Sequence, residues 1–235
     1  MIGVYDYTVL LTYMSLLSAV GGIIVSLTPF SGAAAHPFIG VFFLMFCGLC
    51  DAFDGRVARR KKNRTDFAKK YGIQIDSLTD IVAFGILPAC IGAAMLRVSP
   101  MFESCKNALS APLGTALTVL LFAVLMLYAL ASLIRLAYFN VTEEERQKTD
   151  DSCRKYYTGL PVTSSAIIFP TVLLLQYLLP LDITFIFFAV MLFTAFAFVG
   201  KFSVRKPGLR AIEIMVLIGL VEFVVMLVFR FFINR

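Results

Sequence analysis

Long apolar runs alternate with short polar segments along almost the whole chain. Seven of these runs approach or exceed the ~20 residues that a membrane-spanning helix needs. They cover about residues 7–27, 38–55, 72–96, 113–139, 160–179, 183–199 and 211–232. The second run continues past its apolar part into Asp51 and Asp54, and residues 29–37 form a predicted turn. The pattern predicts an all-α fold, a polytopic helical bundle in a membrane.

The polar segments between the runs predict an orientation. Lys and Arg crowd the segments after the second, fourth and sixth runs, whereas the segments after the first, third and fifth hold only Arg97 and Lys106. Cytoplasmic loops of membrane proteins carry an excess of basic residues. We therefore expect the N-terminus and the three basic segments on the cytoplasmic side of the cell membrane, and the C-terminus on the other side.

Composition supports this class of protein. Hydrophobic residues make up 60% of the 235 residues, charged residues 15%, and the mean hydropathy is +0.87. These values exclude intrinsic disorder, a disulfide scaffold and an ordinary soluble enzyme. The net charge of +6 resides in short clusters that suit anionic lipid headgroups, and no nucleic-acid partner is expected. With no internal repeat, residues 1–235 are predicted to form a single transmembrane domain, with a catalytic core at about 7–200 and an extra helix at about 211–233.

Four aspartates lie where the second and third runs meet their polar connection. Ionisable groups at membrane depth are costly and need a reason. At 100° per residue, each run places its acids on one stripe together with small residues. The stripes are Asp51, Asp54, Gly55 and Ala58 on one helix, and Gly72, Asp76, Asp80 and Ala83 on the other. Because a short connection joins the helices, we expect the four carboxylates to converge near the cytoplasmic interface.

The chemistry of this cluster points to cations and phosphate. Four unpaired anions in a low-dielectric cavity repel one another, and carboxylates without His or Cys suit Mg²⁺, Mn²⁺ or Ca²⁺. Arg56 and Arg59 are placed to meet phosphate. The prediction is a metal-dependent site for a phosphate-bearing substrate whose tail stays in lipid. The alternative is that these carboxylates pair with the basic segment or cap helix ends.

The same residues carry a family resemblance. The pattern Asp51-x-x-Asp54-Gly55-x-x-Ala58-Arg59, then Gly72-x-x-x-Asp76-x-x-x-Asp80, resembles the signature of the CDP-alcohol phosphatidyltransferases. These are integral membrane enzymes with a six-helix core, so the last run would be a seventh helix beyond it. Here the Arg and the Gly are separated by twelve residues, where the usual signature has eight. Segments 72–80, 135–140 and 157–161 look like the phosphatidylserine synthase branch of that family.

The resemblance implies an activity and roles for these residues. The activity is transfer of a phosphatidyl group from CDP-diacylglycerol to the hydroxyl of L-serine, which releases CMP. Two divalent ions, Mg²⁺ or Mn²⁺, would be held by Asp51, Asp54, Asp76 and Asp80, and Asp80 is also the candidate catalytic base. The candidate contacts to the CDP-lipid are Asp51, Gly55, Ala58, Arg59 and Gly72, with Arg56 as a weaker candidate.

Two further residues are candidates for substrate binding. Arg135 would pair with the carboxylate of serine or with a phosphate, unless it snorkels to the headgroup region. Gly159 belongs to a turn at the start of the fifth helix, whose N–H groups would either bind an anion or simply form the turn. The expected partners are CDP-diacylglycerol, L-serine and membrane lipids, and a second copy of the chain is a candidate partner.

Other functions fit the same sequence. Within the family, one alternative is a different acceptor, such as glycerol 3-phosphate, an inositol phosphate or another alcohol. A separate alternative is a lipid donor that is ether-linked rather than diacyl. Outside it, the aspartates would line the pathway of a cation transporter, although transporters commonly show internal repeats. A non-enzymatic subunit that binds CDP-lipid without turnover is a third possibility.

Overall fold

The structure is a computed structural model that describes residues 3–28, 37–61, 63–149, 156–178, 181–205 and 209–228. Its elements follow one another in this order: α1 (Tyr7–Leu27), α2 (Pro37–Arg60), α3 (Asp66–Asp80), a π-helical turn (Ile81–Ile86), α4 (Leu87–Val98), α5 (Pro100–Ala108), α6 (Ala111–Thr149), β1 (Tyr156–Thr158), a 3₁₀ turn (Val162–Ser164), α7 (Ser165–Leu178), α8 (Thr184–Val199), β2 (Ser203–Arg205) and α9 (Leu209–Val228).

Helices dominate the fold, and their outer faces are apolar. Tyr7–Leu27, Asp66–Val98 and Ala111–Arg146 are each long and apolar enough to cross a membrane, and three shorter apolar helices cover Val162–Gln176, Thr184–Val199 and Ile214–Val225. Leu17 and Phe193 are each 73% exposed, which would be costly in water and suits contact with lipid. The prediction of an all-α integral membrane protein is confirmed.

Several boundaries differ from the predicted ones. The third helix begins at Asp66 rather than near Gly72, because the Thr65 side chain accepts a hydrogen bond from the Ala68 N–H at 3.2 Å and caps it. Helix α6, which contains the fourth predicted run, continues to Thr149 through the polar segment that follows that run. Along this extension Arg146 pairs with Glu143 at 2.6 Å. Hydropathy alone does not register such polar extensions.

Two small elements were not predicted at all. Helix α5 begins at Pro100 after Ser99, whose side chain accepts from the Phe102 N–H at 2.9 Å. Strands β1 and β2 pair as a short antiparallel ribbon, with Tyr157 opposite Val204. The ribbon brings the segment before α7 against the end of α8.

Small side chains let α2 pack closely against α1 and α7. A Cβ at Gly22 would lie 2.7 Å from Phe43, and one at Gly48 would lie 2.5 Å from Ala166. The Cys47 thiol is fully buried and donates to the Ser15 carbonyl at 3.3 Å. Small and weakly polar residues are the usual contacts between membrane helices, and Cys47 lies at such a contact.

The predicted seventh helix is present as α9 and packs on α7 and α2. Phe223 meets Phe42 edge to face with ring centroids 5.1 Å apart. Glu222 is buried and accepts a hydrogen bond from the Thr171 hydroxyl. This bond gives the acid in the middle of α9 a partner inside the bundle.

A π-helical turn interrupts the helix that carries Asp80. Pro88 has no N–H, so it cannot bond the Phe84 carbonyl as residue i+4 of a helix normally does. The fully buried Tyr128 hydroxyl donates to that carbonyl at 2.7 Å instead. A buried carbonyl without a partner is costly, so this bond from α6 stabilises the π turn directly after Asp80.

We expect Tyr128→Phe to lower the stability of the protein in detergent by about 1 kcal/mol, because only the longer bond from the Ser165 hydroxyl at 3.5 Å would then remain on the Phe84 carbonyl. Thermal unfolding followed by circular dichroism measures this effect. Tyr138→Phe is the matched control, because Tyr138 lies on the same helix and is 51% exposed. Equal melting temperatures for the two variants would contradict the role of the Tyr128 hydroxyl.

The chain before α1 is fixed to the connection between α2 and α3. Asp6 pairs with Lys61 at 2.7 Å, and the hydrogen bonds from Lys61 and Thr8 lower the pKa of Asp6 to about 2. The hydroxyls of Tyr13 and Tyr71 are 3.0 Å apart. These contacts hold the two sides of the connection against the start of α1.

Candidate metal and nucleotide site

Three carboxylates from two neighbouring helices meet near the connection between them. Asp51 lies on α2, and Asp76 and Asp80 lie one turn apart on α3. One carboxylate oxygen from each residue lies within 4.8 Å of the others. The predicted convergence of the two acidic stripes is therefore present, and Asp80 is its most buried member at 9% exposure.

Asp54 adjoins this group without belonging to the tight triad. It lies one turn after Asp51 on α2, beside Asp76 of α3. The structure thus brings all four predicted acids to one place.

The donor set fits a divalent cation. The ligands are hard carboxylate oxygens, the type that Mg²⁺ and Mn²⁺ prefer. Within the described part of the chain, the basic residues that form ion pairs do so with Asp6, Asp66, Glu103 and Glu143. The alternative reading, in which these aspartates pair with the basic segment, finds no support among the described contacts.

Helix α6 supports α3 beside the acids. The Asn140 side-chain N–H donates to the Ser77 hydroxyl at 2.7 Å, next to Asp76. The Thr79 hydroxyl is buried and finds no partner among the described residues. Nothing in the local sequence pattern singles out Ser77 or Thr79, because the contact of Ser77 with α6 joins residues that are far apart in the sequence.

The small residues and arginines of α2 follow Asp54. Gly55, Arg56 and Ala58 are all half-buried. The Arg56 guanidinium lies 5.7 Å from the Phe53 ring, and its Nη2 is enclosed without a partner in the described structure. The Arg59 backbone belongs to α2, but its side chain lies outside the described residues.

Gly72 lies one turn before Asp76 on the same face of α3. A Cβ there would be 2.6 Å from Nη2 of Arg64. The space that a side chain would take at position 72 is therefore filled by a guanidinium from the preceding connection.

Arg135 is enclosed by the protein, and only 5% of it is exposed. Its Nε donates to the Leu160 carbonyl at 3.0 Å, and its guanidinium lies 5.7 Å from the Phe139 ring. These contacts link α6 to the segment before α7.

Gly159 lies in a tight turn. Its φ is +76°, a left-handed conformation that favours glycine, and a Cβ there would lie 2.9 Å from the carbonyl oxygens of Phe198 and Gly200. Its N–H donates to the Phe202 carbonyl at 2.7 Å, so it is not free to bind an anion. The structure does not bring this N–H to the acids.

Comparisons with known proteins agree with this geometry. The family model described as CDP-alcohol phosphatidyltransferase matches residues 8–199. The chain therefore belongs to the CDP-alcohol phosphatidyltransferase family. The matched region contains all four aspartates, and α9 lies beyond it.

Several curated relatives are called CDP-diacylglycerol–serine O-phosphatidyltransferase. The protein of Saccharomyces cerevisiae is 33% identical over 125 residues, which cover 52% of this chain and 37% of that protein. The protein of Helicobacter pylori strain 26695 is 31% identical over 137 residues, or 58% of this chain and 46% of that protein. The protein of Mycobacterium bovis is 28% identical over 155 residues, or 66% of this chain and 45% of that protein.

The chain thus matches less than half the length of these relatives. No solved structure matches it significantly.

Proposed function

We propose that this chain transfers a phosphatidyl group from CDP-diacylglycerol to the hydroxyl of L-serine and releases CMP. The observation that carries the proposal is the convergence of Asp51, Asp76 and Asp80, with one oxygen from each within 4.8 Å of the others. Membership of the family and the names of its relatives support the donor and the acceptor.

The four aspartates are the groups that would hold the metal. Asp51, Asp76 and Asp80 supply the close oxygens, and Asp54 extends the set toward α2. When bound, Mg²⁺ or Mn²⁺ would supply positive charge that neutralises the pyrophosphate and stabilises departing CMP. Two ions are the number that the family resemblance favours.

The residues themselves carry out binding and proton transfer. Gly55 and Ala58 leave room for the nucleotide beside α2, and the arginines of that segment bind its phosphates. Asp80 takes the proton of the serine hydroxyl as its oxygen bonds to the phosphorus of the phosphatidyl group. The bond between that phosphorus and the oxygen of CMP breaks, and CMP leaves with the electron pair. The buried position of Asp80 keeps water, the competing acceptor, at a distance.

Arg135 is the proposed partner for the serine carboxylate. It is buried and held by Leu160, so it offers a fixed charge rather than a mobile one. Its contact with the segment before α7 would place the acceptor between α6 and α7. The proposed location of the site is the cytoplasmic face of the cell membrane, because basic residues cluster in the connection beside the acids.

The test is an assay of purified protein in lipid nanodiscs with CDP-diacylglycerol and a panel of acceptors. We expect CMP release with L-serine to exceed that with glycerol 3-phosphate or inositol phosphate by at least about tenfold, because polar groups placed for one acceptor are left unpaired by another. Mg²⁺ or Mn²⁺ should be required, and a chelator should stop the reaction.

The alternatives give different results in the same preparation. A larger rate with another alcohol would keep the chain in its family and change the acceptor. Flux of labelled cation into sealed vesicles without CMP release would favour a transporter. Binding of CDP-lipid without turnover would favour a non-enzymatic subunit.

A further inference from the structure

Arg64 lies at the end of the connection between α2 and α3, just before the cap of α3. Its Nη2 donates to the Ala68 carbonyl at 2.9 Å, so the side chain runs along the first turns of the helix. The guanidinium reaches Gly72, where a Cβ would lie 2.6 Å from Nη2 and 3.7 Å from Cζ. The connection thus places a cation against a glycine of the family signature.

This cation shares a helix face with the acids. Gly72, Asp76 and Asp80 follow one another at intervals of four residues, so they form one stripe on α3. Arg64 covers the outer end of that stripe, one turn from Asp76. The guanidinium lies on the side of the acids that faces the polar connection, and within the described structure it forms no ion pair with them.

Arg64 lacks an anionic partner within the described structure. The described ion pairs do not include it, and its Nε is enclosed with no hydrogen-bond partner there. An enclosed guanidinium N–H without an acceptor is costly, whereas a phosphate oxygen would accept from it strongly. Arg64 therefore has hydrogen-bonding capacity left for an anion, about one helical turn along α3 from Asp76.

The connection that carries Arg64 is fixed at both ends. Lys61, three residues before it, pairs with Asp6 at 2.7 Å, and the Tyr71 hydroxyl, next to Gly72, lies 3.0 Å from that of Tyr13. Contacts of this kind limit how far the guanidinium moves and reduce the entropy lost when it binds an anion.

We propose that Arg64 binds a phosphate of the CDP moiety of the donor, and that position 72 is a glycine because the guanidinium needs its space. The inference rests on the proposed function, since it deepens the description of the same site. It gives the extended connection a task in substrate binding and makes Gly72 a residue that acts through Arg64.

The first experiment measures equilibrium binding of labelled CMP and of cytidine to purified protein in nanodiscs of neutral lipid. For Arg64→Gln we expect the affinity for CMP to fall by about tenfold to a hundredfold, as for loss of a charge-assisted hydrogen bond, while cytidine binding stays unchanged. Lys70→Gln is the matched control, because Lys70 carries the same charge on α3 and is exposed. It should change CMP binding by less than about twofold.

Arg64→Lys keeps the charge without the planar fork and should retain part of the CMP affinity. Size-exclusion chromatography and thermal unfolding confirm that the variants fold. CMP affinity of Arg64→Gln equal to that of the unmodified protein would overturn the inference. So would an effect that appears only for donor binding in anionic lipid, because the ligand would then be a lipid headgroup.

A double-mutant cycle separates the role of Gly72 from that of Arg64. The methyl group in Gly72→Ala would displace the end of a flexible side chain, so the fold should tolerate it while CMP affinity falls. In the Arg64→Gln background, Gly72→Ala should add less than about twofold, because residues in direct contact are not additive. Full additivity would show that Gly72 contacts the nucleotide itself and would overturn that half of the inference.

Failure of this inference is distinct from failure of the proposed function. If the protein turns over CDP-diacylglycerol and Arg64→Gln leaves the CMP affinity unchanged, only the proposed role of Arg64 is overturned. If CMP binding depends on Arg64 but no acceptor supports turnover, the proposed reaction is overturned and the role of Arg64 in binding stands. A protein that does not bind CMP at all overturns the inference.

Discussion

Asp76→Asn should reduce CMP release on the order of a thousandfold. Asp76 belongs to the close triad and lies beside Asp54, so loss of its negative charge weakens the hold of the cluster on a cation. Charge stabilisation by bound metal contributes several kcal/mol, and each 1.36 kcal/mol is tenfold in rate. The measurement is CMP release in nanodiscs with L-serine, over a range of Mg²⁺ and Mn²⁺ concentrations.

Asp66→Asn is the control for this variant. Asp66 lies on the same helix, and its side chain is 91% exposed and paired with Lys69 at 3.4 Å. Its replacement removes the same charge at the surface and should leave the rate within about twofold. Full activity of Asp76→Asn, or activity of the unmodified protein after thorough chelation, would contradict the metal site.

A second large effect is expected at Asp80. Asp80→Asn keeps an oxygen that can coordinate a cation, but the amide cannot take a proton from serine. General-base catalysis typically contributes 10²–10⁴-fold, so kcat with L-serine should fall by about that factor. CMP affinity should fall no further than it does for Asp76→Asn, because both amides keep an oxygen that can coordinate a cation.

Comparison of the two variants distinguishes a base from a ligand. Both variants should lose turnover, and only Asp80→Asn should also lose one ionisation in the pH dependence of kcat. Near-normal turnover by folded Asp80→Asn would remove the general-base assignment. An unchanged pH dependence of kcat in Asp80→Asn would leave Asp80 as a metal ligand alone.

The presence of each helix was predictable from the sequence, but the residues at which the helices begin and end were not. Apolar runs of near-spanning length are a sequence property, and each predicted run corresponds to a helix or part of one. The ends depend on capping and on polar extensions, as at Thr65 and Glu143, where a single hydrogen bond or ion pair decides how far the helix continues. Hydropathy does not contain that information.

The π turn after Asp80 likewise has one feature that the sequence predicts and one that only the tertiary structure decides. Pro88 is visible in the sequence and predicts that one carbonyl loses its donor. That the replacement donor is Tyr128, forty-four residues away, follows only from the packing of α6 against the turn. The missing hydrogen-bond donor is therefore predictable from the sequence, whereas the residue that replaces it is known only from the tertiary structure.

The sequence by itself determined that this is a helical membrane protein with four acids on two adjoining stripes, because periodicity and hydropathy are local properties. It also carried the family signature. Only the tertiary structure decided that Asp51, Asp76 and Asp80 meet within 4.8 Å, that Arg64 fills the space at Gly72, and that the Gly159 N–H is taken by Phe202. Those facts depend on which side chains from distant segments occupy the same volume, and packing in three dimensions alone sets that.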